Sequence, residues 1–194
     1  MRKVILYMFT TLDGFVAGPN GEFDDYEPSE EEMKFANEIF SSADGILFGR
    51  VTYQGFVSYW DPIAHGHPPA DVSNSASEIE FASIFKKMTR IVFSRTLDHV
   101  GDNAILIRDN IAAEVWKLKQ QPGRDLLLIC GPELLAVLIE LELVDEYRIL
   151  VKPRVSGRGT ALFGDIQRKL QLKLLSTRVF GSGVVMHHYR PDQG

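Results

Sequence analysis

Residues Leu47–Tyr53 read LFGRVTY. They follow the apolar run Asp44–Phe48 (DGILF) and open a stretch with helical spacing, Arg50–Tyr59. Here a strand leaves on a glycine, sets an arginine beside it and passes straight into a helix. The unpaired N–H groups and positive dipole end of a helix start favour an anion. An arginine at the same point invites one. Each residue also has a plainer reading: Gly49 as a tight turn, Arg50 as a solvated or acid-paired side chain.

Working outward, two more strands end in comparable junctions. Val92–Leu97 reads VFSRTL, with Arg95 between the hydroxyls of Ser94 and Thr96. Leu127–Leu135 reads LLICGPELL, in which Gly131 precedes Pro132 at a first helical position, where its missing N–H does no harm. In an open α/β sheet, ligands bind outside the carboxyl ends of the strands. Three such junctions suit a ligand with several phosphates. The chain carries neither GxGxxG nor GxxxxGK[ST], so a Rossmann dinucleotide site and a P-loop lack support.

The rest of the chain alternates in the same way. Lys3–Phe9 is a buried-type strand, and Thr10–Pro28 is a long loop rich in glycine and acids. Ser29 and Glu32 form a capping box for a helix whose Met33, Ala36, Phe40 and Ala43 face the core. Ser77 and Glu80 suggest a second box for a helix to Met88. Strands follow at Arg90–Phe93 and Ala104–Ile107, a helix at Asn110–Gln121, and an all-apolar strand at Asp125–Ile129. After the Pro132 helix, which runs through Glu142, comes the strand Asp145–Lys152. Lys169–Phe180 and Val184–Arg190 flank GSG as a terminal hairpin. Alternating strands and helices imply a mostly parallel sheet covered on both faces, with an antiparallel edge. No repeat, linker or low-complexity segment divides the chain, so residues 1–194 are expected to form a single domain.

Composition narrows the class. Of 194 residues, 45% are hydrophobic and 24% charged, with a formal net charge of -5. That balance suits a globular protein and argues against a broad nucleic-acid surface, which needs clustered cations. Cys130 is the one cysteine, so no intramolecular disulfide forms, consistent with a reducing, cytoplasmic setting. MRKVILYMF resembles a leader only briefly, because Thr10, Thr11 and Asp13 follow at once. No stretch approaches the roughly 18 apolar residues that suggest a membrane span. His65 and His67 stand in a Pro/Gly loop without further ligands, so no metal site is expected.

TLDGFVAG (Thr11–Gly18), GRVTY (Gly49–Tyr53), VFSRT (Val92–Thr96), CGPELL (Cys130–Leu135) and LVDEYRILVKPRVSGRGTALF (Leu143–Phe163) occur in this order. Together they resemble the dihydrofolate reductase-like fold. Within it they resemble the single-domain proteins related to the reductase half of the bacterial riboflavin deaminase-reductase. The resemblance implies a three-layer αβα domain with a mixed, mostly parallel sheet and a C-terminal antiparallel hairpin. It implies NADPH as cofactor. Gly49, Arg50 and Thr52 would lie along the pyrophosphate and adenosine side, and Ser94, Arg95 and Thr96 would meet the 2′-phosphate. Gly131, Pro132, Glu133 and Leu134 would start a second phosphate-facing helix, and Val16, Ala17 and Gly18 would touch the nicotinamide. The implied activity is a reductase acting on a small pteridine- or aminopyrimidine-like heterocycle, related to 5-amino-6-(5-phosphoribosylamino)uracil reductase. Homodimers are common in that family.

The substrate end departs from the pattern. Met33 falls where dihydrofolate reductases carry a carboxylate, and Ile129 falls where riboflavin reductases carry a substrate-binding glutamate. Asp13 and Glu32 are the candidate catalytic acids. Asp13 reads equally as a turn residue that caps its own loop, whereas Glu32 reads first as the capping partner of Ser29 and only second as a substrate acid. A nucleotide-binding or sensor protein that keeps the cofactor site without turnover is the alternative from another class.

Overall fold

The computed structural model describes residues 1–22, 26–68 and 75–192. Its elements are, in chain order, β1 (Val4–Thr11), β2 (Phe15–Ala17), α1 (Glu30–Ser41), β3 (Ala43–Gly49), α2 (Arg50–Ala64), α3 (Ala76–Lys87), β4 (Thr89–Phe93), β5 (Ala104–Ile107), α4 (Ile111–Gln120), β6 (Asp125–Ile129), α5 (Pro132–Glu140), β7 (Glu146–Lys152), β8 (Thr160–Ala161), β9 (Leu172–Val179) and β10 (Val185–Pro191). Eight strands form one sheet in the order β5-β4-β3-β6-β1-β7-β10-β9. The six strands from β5 to β7 run parallel. β10 is antiparallel to both β7 and β9, which gives the expected hairpin edge.

The alternation of side chains across the sheet explains its apolar strands. Val4 and Leu6 of β1 enter one core with Val115, Leu118, Leu135, Leu138 and Ile139 of α4 and α5. Ile5 and Tyr7 enter the other, with Met33, Phe40, Tyr53, Phe81 and Phe85 of α1, α2 and α3. A strand buried on both faces reads as a continuous hydrophobic run, not as an alternation. The result is an αβα sandwich in which aromatic packing dominates one side, as in the Phe40–Phe81 pair at 4.6 Å between ring centres.

Three details differ from the sequence reading. The capping box of α3 is Ser75 with Glu78, two residues before the pair Ser77 and Glu80. Ser77 instead donates to Glu30, and Glu80 accepts from Asn37, so both tie α3 to α1. Helix α2 continues past Tyr59 to Ala64 and carries Pro62 near its end. The long loop after β1 contains β2, which pairs with β8 as a two-stranded ribbon; its residues 23–25 lie outside the described residues.

That ribbon is clasped by Asp13. Its carboxylate accepts from the Thr11 hydroxyl at 2.6 Å, from the Ser156 amide at 3.1 Å and from the Gly157 amide at 2.7 Å. The Leu12 amide donates to the Arg154 carbonyl and the Leu162 amide to the Gly14 carbonyl. At Gly159, φ is +145° and an added Cβ would stand 2.3 Å from the Ala17 carbonyl oxygen. Only glycine allows the two segments to approach this closely.

Candidate functional site

A cleft of about 1350 Å³ crosses the carboxyl ends of the parallel strands. It gathers residues that lie far apart in sequence. The β3–α2 junction supplies Gly49, Arg50 and Thr52, the end of β4 supplies Ser94, Arg95 and Thr96, and the β6–α5 junction supplies Gly131, Pro132, Glu133 and Leu134. Val16 and Ala17 of β2 close one end. Gly18 stands apart, lining a smaller pocket with Asn20, Glu22 and Arg158.

The helices divide according to how they begin. α1 and α3 start with complete capping boxes, so side chains satisfy their first N–H groups. α2, α4 and α5 start at Gly49, Asn110 and Gly131 without a side-chain cap, and all three residues line the cleft. Their first turns therefore offer amide donors and positive dipole ends to whatever the cleft holds.

The glycines at two of these starts are not explained by the backbone. Gly49 has φ of −80° and Gly131 has φ of −73°, values open to any residue. A Cβ at Gly131 would meet nothing within 4 Å, and one at Gly49 only Leu134 at 3.8 Å. Both glycines line the cleft. A group with extended phosphates fits there, because it needs close approach to helix N-termini.

The charges agree. Among the described residues, the cleft is lined by four cations (Arg50, Arg95, Arg108, Lys152) and two acids (Asp109, Glu133). Arg108 was not singled out in the sequence. It follows β5 directly and so obeys the same strand-end rule as the other junctions, without a glycine to mark it. One of its N–H groups donates to the Arg95 carbonyl and another to the Asp98 carbonyl, both at 3.4 Å, so it spans the turn after β4. In that turn the Ser94 hydroxyl accepts from the Thr96 and Leu97 amides at 3.2 and 3.0 Å. This fixes the loop that carries Arg95. Arg50 and Arg95 are exposed.

The far half of the cleft is aromatic, with Phe9, Tyr26, Phe56 and Trp60 beside Tyr7 and Lys152. Met33 lines it, leaving an apolar wall at the position considered for a carboxylate. Phe56 and Trp60 also pack against the core, so each serves both packing and lining.

Neither candidate catalytic acid belongs to the cleft lining. Asp13 sits in the clasp, and its carboxyl is drawn down to about 2, chiefly by the Thr11 hydroxyl and also by the Gly157 and Ser156 amides. Glu32 is fully buried. It accepts from the Ser29 amide at 2.6 Å, from the Ser182 hydroxyl at 2.9 Å and from the Tyr26 hydroxyl at 2.8 Å. The capping demand of α1 claims one oxygen, and the folding of the Ser182 turn and Tyr26 onto it claims the rest. Cys130 is buried at the cleft wall, and burial pushes its thiol well above the ordinary value. Among the described residues, no group of three or more potential metal ligands comes together. None of the described helices is long and apolar enough to cross a membrane.

Comparison with known proteins agrees with this architecture. The family model of the RibD C-terminal domain matches residues 2–186. The chain is 38% identical over 190 residues to the uncharacterized protein YyaP of Bacillus subtilis, covering 97% of this chain and 94% of that one. It is 27% identical over 191 residues to YwjB of the same organism, covering 97% and 98%. Among solved structures it shares its fold with a diaminohydroxyphosphoribosylaminopyrimidine deaminase/5-amino-6-(5-phosphoribosylamino)uracil reductase from Thermotoga maritima. The TM-score is 0.65 at 16% identity, covering 98% of this chain and 57% of that one. It also shares it with dihydrofolate reductase from Enterococcus faecalis complexed with NADP(H), with a TM-score of 0.64 at 15% identity, covering 98% and 97%.

Proposed function

The chain belongs to the RibD C-terminal domain family, and we propose that it is an NADPH-dependent reductase of a small, electron-poor heterocycle. The observation that carries this reading is the single cleft onto which the uncapped starts of α2, α4 and α5 and three arginines converge. A reduced nicotinamide dinucleotide would supply the hydride; the chain's own residues bind it and orient it. Gly49, Arg50 and Thr52 take the pyrophosphate and adenosine side. Gly131 and the first turn of α5, Pro132 to Leu134, face the second phosphate. Arg95 and Arg108 flank the 2′-phosphate, with Ser94 and Thr96 holding the turn. Val16 and Ala17 border the nicotinamide, and Gly18 supports the loop from outside the cleft.

The proton that completes the reduction comes from water. Asp13 would have to be protonated to donate it, and a carboxyl near pH 2 is ionised under any working condition. Glu32 is already bound by the cap and Tyr26. The reading extends to a cytoplasmic homodimer with no nucleic-acid partner. A protein that binds NADP(H) without turnover would show the same cofactor affinity but no oxidation of NADPH with any pteridine, aminopyrimidine or quinone.

The test is titration of NADPH and NADH against wild type, Arg95→Ala and Arg108→Ala at low and high salt. NADPH carries one more phosphate, and a hydrogen bond to such a charged group contributes about 1.5–3 kcal/mol. Each variant should therefore lose roughly tenfold to a hundredfold in NADPH affinity and little for NADH. Added salt should shrink the difference, since both arginines are exposed. Equal wild-type affinity for the two cofactors would remove this reading.

A further inference from the structure

Tyr53 closes the stretch LFGRVTY, and the three residues before it, Arg50, Val51 and Thr52, line the cleft. Tyr53 itself turns inward. It is 5% exposed and packs in the aromatic core beside Phe48, with 6.1 Å between ring centres. A phenylalanine would fill the same space. What the tyrosine adds is one oxygen, and that oxygen accepts from the Gly101 amide at 2.9 Å.

Gly101 belongs to the connection between β4 and β5, residues 94–103, which carries Arg95. None of these ten residues is buried, although Leu97 and Val100 touch the core. A segment with so little buried surface is held mainly by its hydrogen bonds. The Ser94 hydroxyl ties the first turn, and Arg108 spans the Arg95 and Asp98 carbonyls. The Asn103 side-chain amide donates to the Met88 carbonyl at 2.7 Å. Each of these joins the connection to itself or to the chain at its own two ends. Tyr53 differs, because it reaches across from α2, the helix whose first turn presents Arg50 and Thr52.

We propose that Tyr53 is a positioning residue for cofactor selectivity. By bonding Gly101 it fixes the reach between the start of α2 and the turn that carries Arg95. A dinucleotide with a pyrophosphate and a separate ribose phosphate then meets both at once. A site ordered before its ligand arrives incurs a smaller ordering cost on binding. The forked contacts of a guanidinium with phosphate also depend on distance and angle, so slack in the connection weakens them. A dinucleotide without the 2′-phosphate draws on the helix starts alone and does not sense that slack. The inference rests on the proposed function for the placement of the 2′-phosphate at Arg95.

Titration of NADPH and NADH against the full chain, as wild type and as Tyr53→Phe, tests it. Ser77→Ala serves as comparison, since it removes a different bond between elements, the one that Ser77 donates to Glu30 at 2.6 Å, and neither residue lines the cleft. Wild type should prefer NADPH. Tyr53→Phe should lose about threefold to tenfold in NADPH affinity, the share of one hydrogen bond, and keep NADH within about twofold. Ser77→Ala should leave both affinities as they are. Hydrogen exchange of the cofactor-free protein should be faster at residues 97–101 in Tyr53→Phe than in wild type. An unchanged ratio of the two affinities in Tyr53→Phe, equal losses for both cofactors, the same fall in Ser77→Ala, or unchanged exchange at residues 97–101 would overturn the proposal. A wild type that binds NADPH and NADH alike would refute the placement of the 2′-phosphate and the selectivity role with it. That outcome is distinct from the others, in which the wild type keeps its preference.

Discussion

Asp13 shows how one carboxylate can look catalytic and be structural. It follows β1 directly, where a reductase could use an acid, but its oxygens are taken by Thr11, Ser156 and Gly157. Because these donors prefer the ionised form, its folded pKa of about 2 lies below the ordinary value of 3.8. Its contribution to the clasp is therefore complete above about pH 4 and is lost as the pH falls through about 2. Asp13→Ala should be less stable than wild type near neutrality, and the difference should vanish in the acid limb. Thermal unfolding of both proteins from about pH 6 down to about pH 2 reads this directly; a gap that persists at the lowest pH would remove the charge from the explanation. The same substitution should slow turnover only through loosening of the loop that carries Val16 and Ala17, so kcat and KM should shift together with no new titration in the pH profile.

At the scale of elements, glycines that look alike in the sequence do different work. Gly131 has ordinary φ and open space, whereas Gly159 has φ of +145° and the Ala17 carbonyl 2.3 Å from its missing Cβ. Gly131→Ala should therefore leave the melting temperature within about 2 °C of wild type, since a compatible Gly→Ala is neutral to slightly stabilising, while weakening NADPH. Gly159→Ala should destabilise by roughly 1–3 kcal/mol from forced strain. Paired melting curves and cofactor titrations separate the two; a Gly131→Ala protein that unfolds early would show that the clearance serves the fold. The sequence displayed the long elements well. β5 and β6 have the boundaries read from it, and the box at Ser29–Glu32 forms as read. It hid others for physical reasons. β2 and β8 are three and two residues long, too short for any periodicity, and exist only because each pairs with the other. The box of α3 lies two residues before the pair the sequence suggests, because SNSASEIE offers several serine–glutamate spacings and only packing against α1 decides among them. Arg50, Arg95 and the Gly131 turn were legible from local chemistry. Arg108 was not, since what matters about it is the strand beside β5 and not its own neighbours in the chain. Tyr7 was legible only as a core residue; that its buried hydroxyl has no hydrogen-bond partner among the described residues is a property of the fold.

For the whole molecule, the sheet has two unequal margins. β5 is four residues long, whereas β9 has eight and pairs on one side only, with Leu174 51% and Val179 68% exposed. Exposed edges of this kind invite pairing unless charges guard them, and Lys173 and Arg178 guard this one incompletely. The protein is expected to form a homodimer across β9. Light scattering at micromolar concentration should give twice the chain mass, and Leu174→Lys with Val179→Lys should return it to a monomer. A wild-type monomer would end this expectation, and a mutant dimer would move the interface elsewhere. The position of β1 has a further consequence. Its residues pair with Leu126–Leu128 on one side and Glu146–Lys152 on the other. During synthesis β1 therefore has no partner in the sheet until β6 has followed. Such long-range pairing makes folding slow, and the apolar VILYMF segment spends the interval unpaired, the condition in which chains aggregate. Chains cut short before Asp125 would keep β3 and β4 but leave β1 without either neighbour. Synthesis should accordingly lean on chaperones during that interval, and the cleft, floored by β1, comes into being only once β6 and β7 have docked on it.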